Sequence, residues 1–304
     1  MKLIYVAGAG RSGSTLLDRL LGTVPSFASV GEVRFFWEYV AAGGTKCGCG
    51  DDLVSCRFWA AVLDRLHETP DSVDIDEIAT YARSLDRTRY SPAISAGTAS
   101  RRRGFRALVT ATTRLYEAIR DESNADVIID SSKVPSHLAL LGHVEPVDLQ
   151  VLHLVRDPRA VAYSWYKRQK KEPGVNRPGT LMPRRFPLDT MGRWLLENHF
   201  THRFSRSADG YSLLRYEDLV ASPAGAIGGA LRELGIDGVQ LGWLETDTVE
   251  LSVTHSVGGN PIRFDRGPVA IRRDDTWRRQ MSPGVRKVLG LLVYPLMRRY
   301  GYPL

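Results

Sequence analysis

The run Gly8-Ala9-Gly10-Arg11-Ser12-Gly13-Ser14-Thr15 follows a short apolar stretch and leads into an amphipathic one. Strand, glycine-rich turn and helix start together make an anion cradle. Backbone N–H groups at the helix start point at the ligand, and the helix dipole adds positive potential. Gly8 and Gly13 have the spacing of a nucleotide-hydrolysing phosphate loop, and Thr15 takes its hydroxyl position. Ser14 stands where that loop carries a lysine that reaches the outer phosphates, which argues against a kinase or ATPase. The cation here is Arg11, inside the loop. A second arginine, Arg156, ends the apolar run Leu152-His153-Leu154-Val155 and precedes Asp157-Pro158, an N-cap and N1 pair. Ser164 falls a little under two turns into the helix that follows, so its hydroxyl and the Arg156 guanidinium can reach one phosphate. Glu32, Lys133 and His137 could handle protons or charge. Moving an anionic group to a hydroxyl needs a base for the acceptor proton. It also needs cations for the transferring group and the leaving phosphate.

Short apolar runs alternate with helical segments, which predicts an α/β fold with a central, mainly parallel sheet flanked by helices. Strands are expected at Leu3–Ala7, Val127–Ile129, Val151–Val155 and Ser212–Arg215, with a weaker one at Phe27–Val30. Helices are expected at Ser14–Leu21, Phe105–Asp121, Arg159–Gln169 and Ala224–Leu234. Glu32, Lys133 and Arg156 then stand at carboxyl ends of strands, where open α/β sheets bind ligands. Residues 171–187, rich in Pro, Gly and basic side chains, predict a mobile loop, as does 257–273. One P-loop-like domain over residues 1–304 is expected.

The combination of Gly10-Arg11-Ser12-Gly13-Ser14-Thr15 with Arg156 and Ser164 resembles the sulfotransferases that use 3′-phosphoadenosine 5′-phosphosulfate (PAPS). The likeness spans most of the chain, including Arg215-Tyr216-Glu217-Asp218-Leu219 and the arginine-rich stretch before Trp277-Arg278. It implies that the first motif holds the 5′-phosphosulfate and the second the 3′-phosphate, and that adenosine 3′,5′-bisphosphate is the product. Arg11, where cytosolic animal members carry lysine, brings the pattern closer to the carbohydrate, tyrosylprotein and bacterial branches. In the tyrosylprotein branch the glutamate of a Gly-Glu pair like Gly31-Glu32 is the base. The same likeness implies that Lys133 stabilises the bridging oxygen of the leaving group, and that Arg272 or Arg273, among the late arginines that include Arg263 and Arg266, meets the 3′-phosphate. His137 is the rival base, and His255 a weaker one. Glu217 and Asp218 are expected to cap a strand-to-helix junction.

The chain of 304 residues is 43% hydrophobic, enough for a large core, and carries a net charge of +7. Its basic runs Arg101-Arg102-Arg103 and 167–171 lack interleaved aromatics, which argues against a nucleic-acid binder. No apolar stretch is long enough to span a bilayer, and the start reads as a strand rather than a leader, so a cytoplasmic protein is expected. Three cysteines, Cys47, Cys49 and Cys56, fall in one short segment. Cys-x-Cys plus one more lacks an obvious fourth ligand, with His67 the nearest histidine, so a plain cysteine-containing loop is favoured over a metal site. If arginines, lysines and backbone amides supply the charge, the transfer is expected to need no metal. Phe35-Phe36-Trp37-Glu38-Tyr39 could line an acceptor pocket or pack in the core. A small-molecule, carbohydrate, lipid or peptide hydroxyl is the expected acceptor, and homodimerisation stays open. The competing functions are a Mg²⁺-dependent small-molecule kinase and a non-catalytic module for phosphorylated or sulfated partners.

Overall fold

A computed structural model describes residues 1–68, 73–167, 184–244 and 248–304. Five strands, β1 (Lys2–Ala7), β2 (Phe27–Gly31), β3 (Val127–Lys133), β4 (Asp148–Val155) and β5 (Gly210–Arg215), form one sheet in the order β2-β3-β1-β4-β5. Every pairing is parallel. β1 lies in the centre with Leu3, Ile4, Tyr5 and Val6 fully buried. That explains its unbroken apolar run, since a parallel strand is covered on both faces. Alternate residues feed opposite layers. Ile4 and Val6 pack with Leu17, Leu20 and Leu21 of the helix Ser14–Leu21 and with Ile227 and Leu231 of the helix Pro223–Glu233. Leu3 and Tyr5 pack with Leu108 and Leu115 of the helix Phe105–Ser123 and with Trp59 of the helix Arg57–His67. Each fully buried leucine contributes at most about 1.5–3 kcal/mol.

Two irregularities in this sheet bear on the site. Between β1 and β3 the register runs from Tyr5–Asp130 to Ala7–Lys133, leaving one extra residue on β3 just before Lys133. Between β2 and β3 it runs from Ser29–Ile129 to Gly31–Asp130, leaving Val30 as one extra residue on β2, two positions before Glu32. A bulge re-aims the side chain that follows it, and here two bulges sit side by side at the carboxyl edge.

The strands and the helices at Ser14–Leu21, Phe105–Ser123, Pro158–Tyr166 and Pro223–Glu233 fall where the patterning puts them, with ends shifted by a few residues. Position 169, the expected end of the third helix, lies outside the described residues. One loop expectation changes, and the other falls mostly outside the described residues. Residues 257–273 are not all loop: they hold a 3₁₀ turn at Pro261–Phe264 and the strand β7 (Gly267–Ala270), which pairs antiparallel with β6 (Thr248–Leu251). Of the expected loop 171–187, residues 171–183 lie outside the described residues, and Pro187 already starts the helix Pro187–Phe204. Among the described residues no helix is long and apolar enough to cross a membrane.

Candidate active site

The carboxyl ends of β1, β2, β3 and β4 open into a cleft of about 1060 Å³. Its wall includes Gly8, Gly10, Arg11, Gly13, Ser14 and Thr15 from the first loop. Gly8 and Gly13 are required there by space. A Cβ on Gly8 would stand 2.2 Å from the Leu154 carbonyl oxygen, and one on Gly13 would stand 2.6 Å from the Tyr216 ring. Both glycines have positive φ, which a side chain would strain. Arg11 adopts φ 72° without being glycine, a conformation that costs about 1–2 kcal/mol and so marks a held position. Its guanidinium lies 5.2 Å from the centroid of Trp165. Ser12 differs from its neighbours: its side chain is buried and is not part of the cleft wall.

Arg156 leaves the end of β4 with its guanidinium 4.2 Å above the Tyr216 ring. Nη1 donates to the Arg11 carbonyl at 3.3 Å, and Nη2 lies 3.5 Å from Asp274 Oδ2. The Arg156 carbonyl accepts from Trp194 Nε1 at 3.2 Å. Ser164 lines the same cleft from the next helix. That helix is capped by Asp157, whose carboxylate accepts from the Arg159 backbone at 2.9 Å and from the Arg159 guanidinium at 2.9 and 2.7 Å. Glu217 accepts from the Asp157 N–H at 3.3 Å and from Tyr302 at 2.6 Å, so it braces this junction.

The two bulges bring together residues 101 positions apart. Lys133 Nζ donates to Glu32 Oε1 at 2.5 Å and to the Ser131 carbonyl at 3.1 Å. Both side chains are mostly buried, and both line the cleft. Lys133, like Arg11, has a positive φ, 71°. Glu32 is held from behind: its N–H donates to the Val257 carbonyl at 2.6 Å, and the Val257 N–H donates to Val30 at 2.8 Å. The same late segment reaches the first loop, where the Asn260 N–H donates to Thr15 Oγ1 at 3.3 Å.

His137 is placed elsewhere. Its ring is buried and absent from the cleft wall, with Nδ1 3.0 Å from Asp86 Oδ2 and Nε2 3.6 Å from Asp130 Oδ2. Burial pushes the Asp86 carboxyl up, but Arg34 and the His137 hydrogen bond outweigh that and hold it at about 2. The late arginines divide. Arg272 lines the cleft, while Arg273 turns to Asp275 at 3.2 Å. Arg263 donates to the Lys46 carbonyl at 3.2 Å and Arg266 to the Cys49 carbonyl at 2.5 Å, so both fasten loops together. Phe35 and Tyr39 stack on one another at 5.3 Å on the cleft wall, while Phe36 and Trp37 belong to the core.

Several wall residues escaped sequence reasoning. Glu197 comes from the helix Pro187–Phe204. Burial raises its carboxyl pKa, against the pull of Arg185 and of the Gly10 N–H. Asp274, which meets Arg156, was also missed, and Tyr216, named in the Arg215–Leu219 run, was not expected to lie under the Arg156 guanidinium. Tyr216 follows directly on β5, at the carboxyl end of a strand, which was the signal for a place on the cleft wall.

Residues 4–240 match the model of a sulfotransferase family. A search of curated protein sequences finds no significant relative. The chain is similar to the sulfotransferase domain of the Synechococcus PCC 7002 olefin synthase, at 21% identity and a TM-score of 0.56 over 100% of this chain and 96% of that one. It is also similar to the sulfotransferase domain of the curacin biosynthetic pathway, at 17% identity and a TM-score of 0.58 over 99% and 98%. Likenesses at such identity speak for the fold, and they agree with the five-stranded parallel sheet. The family match covers most of the chain, including the first loop, both bulges and the Arg156–Ser164 junction: this protein belongs to the sulfotransferase family.

Proposed function

We propose that the cleft binds PAPS and that the protein transfers its sulfuryl group to an acceptor hydroxyl, with Glu32 as general base. The observation that supports this is the order of groups along one sheet edge: the Glu32–Lys133 pair at the ends of β2 and β3, then the Gly8–Thr15 loop after β1, then the Arg156–Ser164 junction after β4, all lining one cleft. The buried Arg156 Nε has no hydrogen-bond partner among the described residues, which fits a side chain that awaits an anion.

PAPS, when bound, supplies the sulfuryl group and departs as adenosine 3′,5′-bisphosphate. The backbone amides of Gly10–Thr15 and the Arg11 guanidinium suit the 5′-phosphosulfate. Arg156, Ser164 and Arg272 suit the 3′-phosphate. Glu32 takes the proton of the acceptor hydroxyl as its oxygen bonds to sulfur. Lys133, which holds the Glu32 carboxylate in place, is close enough to the first loop to meet the charge that develops on the departing phosphate oxygen. Phe35 and Tyr39 offer a flat apolar wall beside Glu32 for the body of the acceptor. A kinase reading finds no lysine in the loop, and a purely binding role leaves the Glu32–Lys133 pair without a use.

The test is ligand-linked stability. A ligand that binds only the folded state at a hundred times its Kd adds about 2.7 kcal/mol. Adenosine 3′,5′-bisphosphate at millimolar concentration should therefore raise the Tm by several degrees without added Mg²⁺. No shift with the bisphosphate, and a clear shift with ATP and Mg²⁺, would overturn the reading.

A further inference from the structure

The three cysteines meet a fourth ligand that is far away in the sequence. Cys47 Sγ, Cys49 Sγ, Cys56 Sγ and a ring nitrogen of His255 all lie within 4.8 Å of one another. The histidine is not His67, the nearest in sequence, but one 199 residues beyond Cys56. His255 Nδ1 is 3.2 Å from Cys56 Sγ and 3.9 Å from Cys47 Sγ, and Cys49 Sγ is 3.6 Å from Cys56 Sγ. These spacings can be compared with a tetrahedron. With Zn–S of about 2.3 Å and Zn–N of about 2.0–2.1 Å, the sulfurs stand about 3.8 Å apart and sulfur and nitrogen about 3.5 Å apart. The observed edges scatter around those values. They are far too long for a disulfide, whose sulfurs lie about 2.05 Å apart.

The surroundings are those of a built site. Cys47 and Cys56 are fully buried. Gly50, with φ 104°, closes the Cys47–Gly50 turn by donating to the Cys47 carbonyl at 2.9 Å. That turn folds Cys47 and Cys49 onto one side. Gly48 presses against the segment 254–256: a Cβ there would stand 2.4 Å from Ser256 Oγ and 2.6 Å from the Thr254 carbonyl. Cys56 sits at the start of the helix Arg57–His67. The His255 ring stacks on Phe58 at 5.2 Å, and its backbone carbonyl accepts from Trp59 Nε1 at 2.7 Å, so the ring is aimed at the sulfurs from two sides. Three thiolates and a neutral imidazole leave a zinc site with one negative charge, and Arg266 donates to the Cys49 carbonyl beside it at 2.5 Å.

We propose that Cys47, Cys49, Cys56 and His255 bind one zinc ion in a closed, structural Cys₃His site. All four positions are taken by protein, so no open coordination position is left for catalysis. The ion ties the segment 47–56 to the segment 254–257. Because Val257 pairs with the backbone on both sides of Gly31, the zinc fastens the strand end that presents Glu32. This assignment does not depend on the donor or acceptor of the transfer reaction.

Metal content of the full chain, purified under reducing conditions without chelator, tests it directly. About one equivalent of zinc per chain is expected. Replacement by Co²⁺ should give thiolate-to-cobalt charge transfer and the intense visible bands of tetrahedral cobalt. H255C keeps four ligands and should retain the metal with an altered cobalt spectrum. H255F keeps the stacking on Phe58 and should lose the metal or bind it far more weakly. C56S should behave like H255F. Should either variant fail to fold, the wild-type zinc content and cobalt spectrum still decide. Wild-type protein with no bound zinc, no rise in Tm on adding Zn²⁺ and no tetrahedral cobalt bands would overturn the proposal. So would a mass showing a disulfide between two of these cysteines in protein kept reduced.

Discussion

Removing the Arg156 guanidinium tests whether the two proposed anion-binding elements hold different ends of the donor. The guanidinium is engaged by Asp274 at 3.5 Å, by the Arg11 carbonyl at 3.3 Å and by the Tyr216 ring. The Asp274 carboxylate is about a third exposed, 34%, so solvent screens that contact to about 0.5–1 kcal/mol. A phosphate accepting two parallel charge-assisted bonds gains about 1.5–3 kcal/mol for each. After the lost Asp274 contact is subtracted, Arg156→Ala should weaken PAPS by about 2–5.5 kcal/mol, or roughly thirtyfold to nearly ten-thousandfold at about 1.4 kcal/mol per tenfold. Calorimetric titration with PAPS and with adenosine 5′-phosphosulfate, which lacks the 3′-phosphate, makes a cycle with one change on the protein and one on the ligand. Wild-type protein should prefer PAPS strongly, and Arg156→Ala should bind the two nearly equally. If the variant weakens both ligands by the same factor while its Tm is unchanged, Arg156 serves the 5′-end, and the assignment of the second motif is wrong.

Glu32→Gln should lower kcat by roughly a hundredfold or more while leaving bisphosphate affinity within a few-fold, because a base acts on the acceptor proton and not on the nucleotide; near-native turnover would remove Glu32 from the reaction. Stability should also report on His153, a fully buried ring whose Nε2 lies 2.9 Å from Asn198 Oδ1. Burial lowers its pKa to about 4 from 6.5. A depressed folded-state value means that its contribution is complete above pH 6.5 and is lost as pH falls towards 4. That amounts to about 3 kcal/mol at 1.36 per pH unit. Urea denaturation of wild type and His153→Gln between pH 7 and 4.5 should show a steeper acid loss in wild type, and parallel curves would refute it.

The sequence carries some of this site openly and hides the rest, for physical reasons. The first loop and the Arg156–Ser164 junction are contiguous, so strand, turn and helix signals agree within a few residues and can be read directly. Glu32 and Lys133 were visible one at a time. Their contact was not, because it depends on two bulges whose extra residues leave no mark on the hydrophobic pattern. β7 was hidden by Pro268, a residue tolerated only because the two-stranded β6–β7 sheet consists of edges. The helix Pro187–Phe204 buries Thr190, Asn198 and Thr201 beside Met191 and Trp194, which blurs its apolar stripe, and Glu197 was lost with it. The fourth partner of the cysteines could not be found by spacing at all, since the chain brings His255 back only after the whole parallel sheet has been crossed.

The late segment has a consequence for the order of events during synthesis. Residues 252–265 are gripped by Arg19, whose guanidinium donates to the carbonyls of Ser252, Arg263 and Asp265, and they also supply the partners of Glu32 and Thr15. These contacts join positions up to 246 apart. A nascent chain emerging from the ribosome at about 5–20 residues per second has its Gly8–Thr15 loop out early, yet it waits tens of seconds for the late segment that lines the same cleft. Until then the carboxyl edge of the sheet has no back wall behind Glu32. A chain stopped before residue 252 lacks the backbone partners of Glu32 and Thr15 and so cannot complete this edge of the cleft.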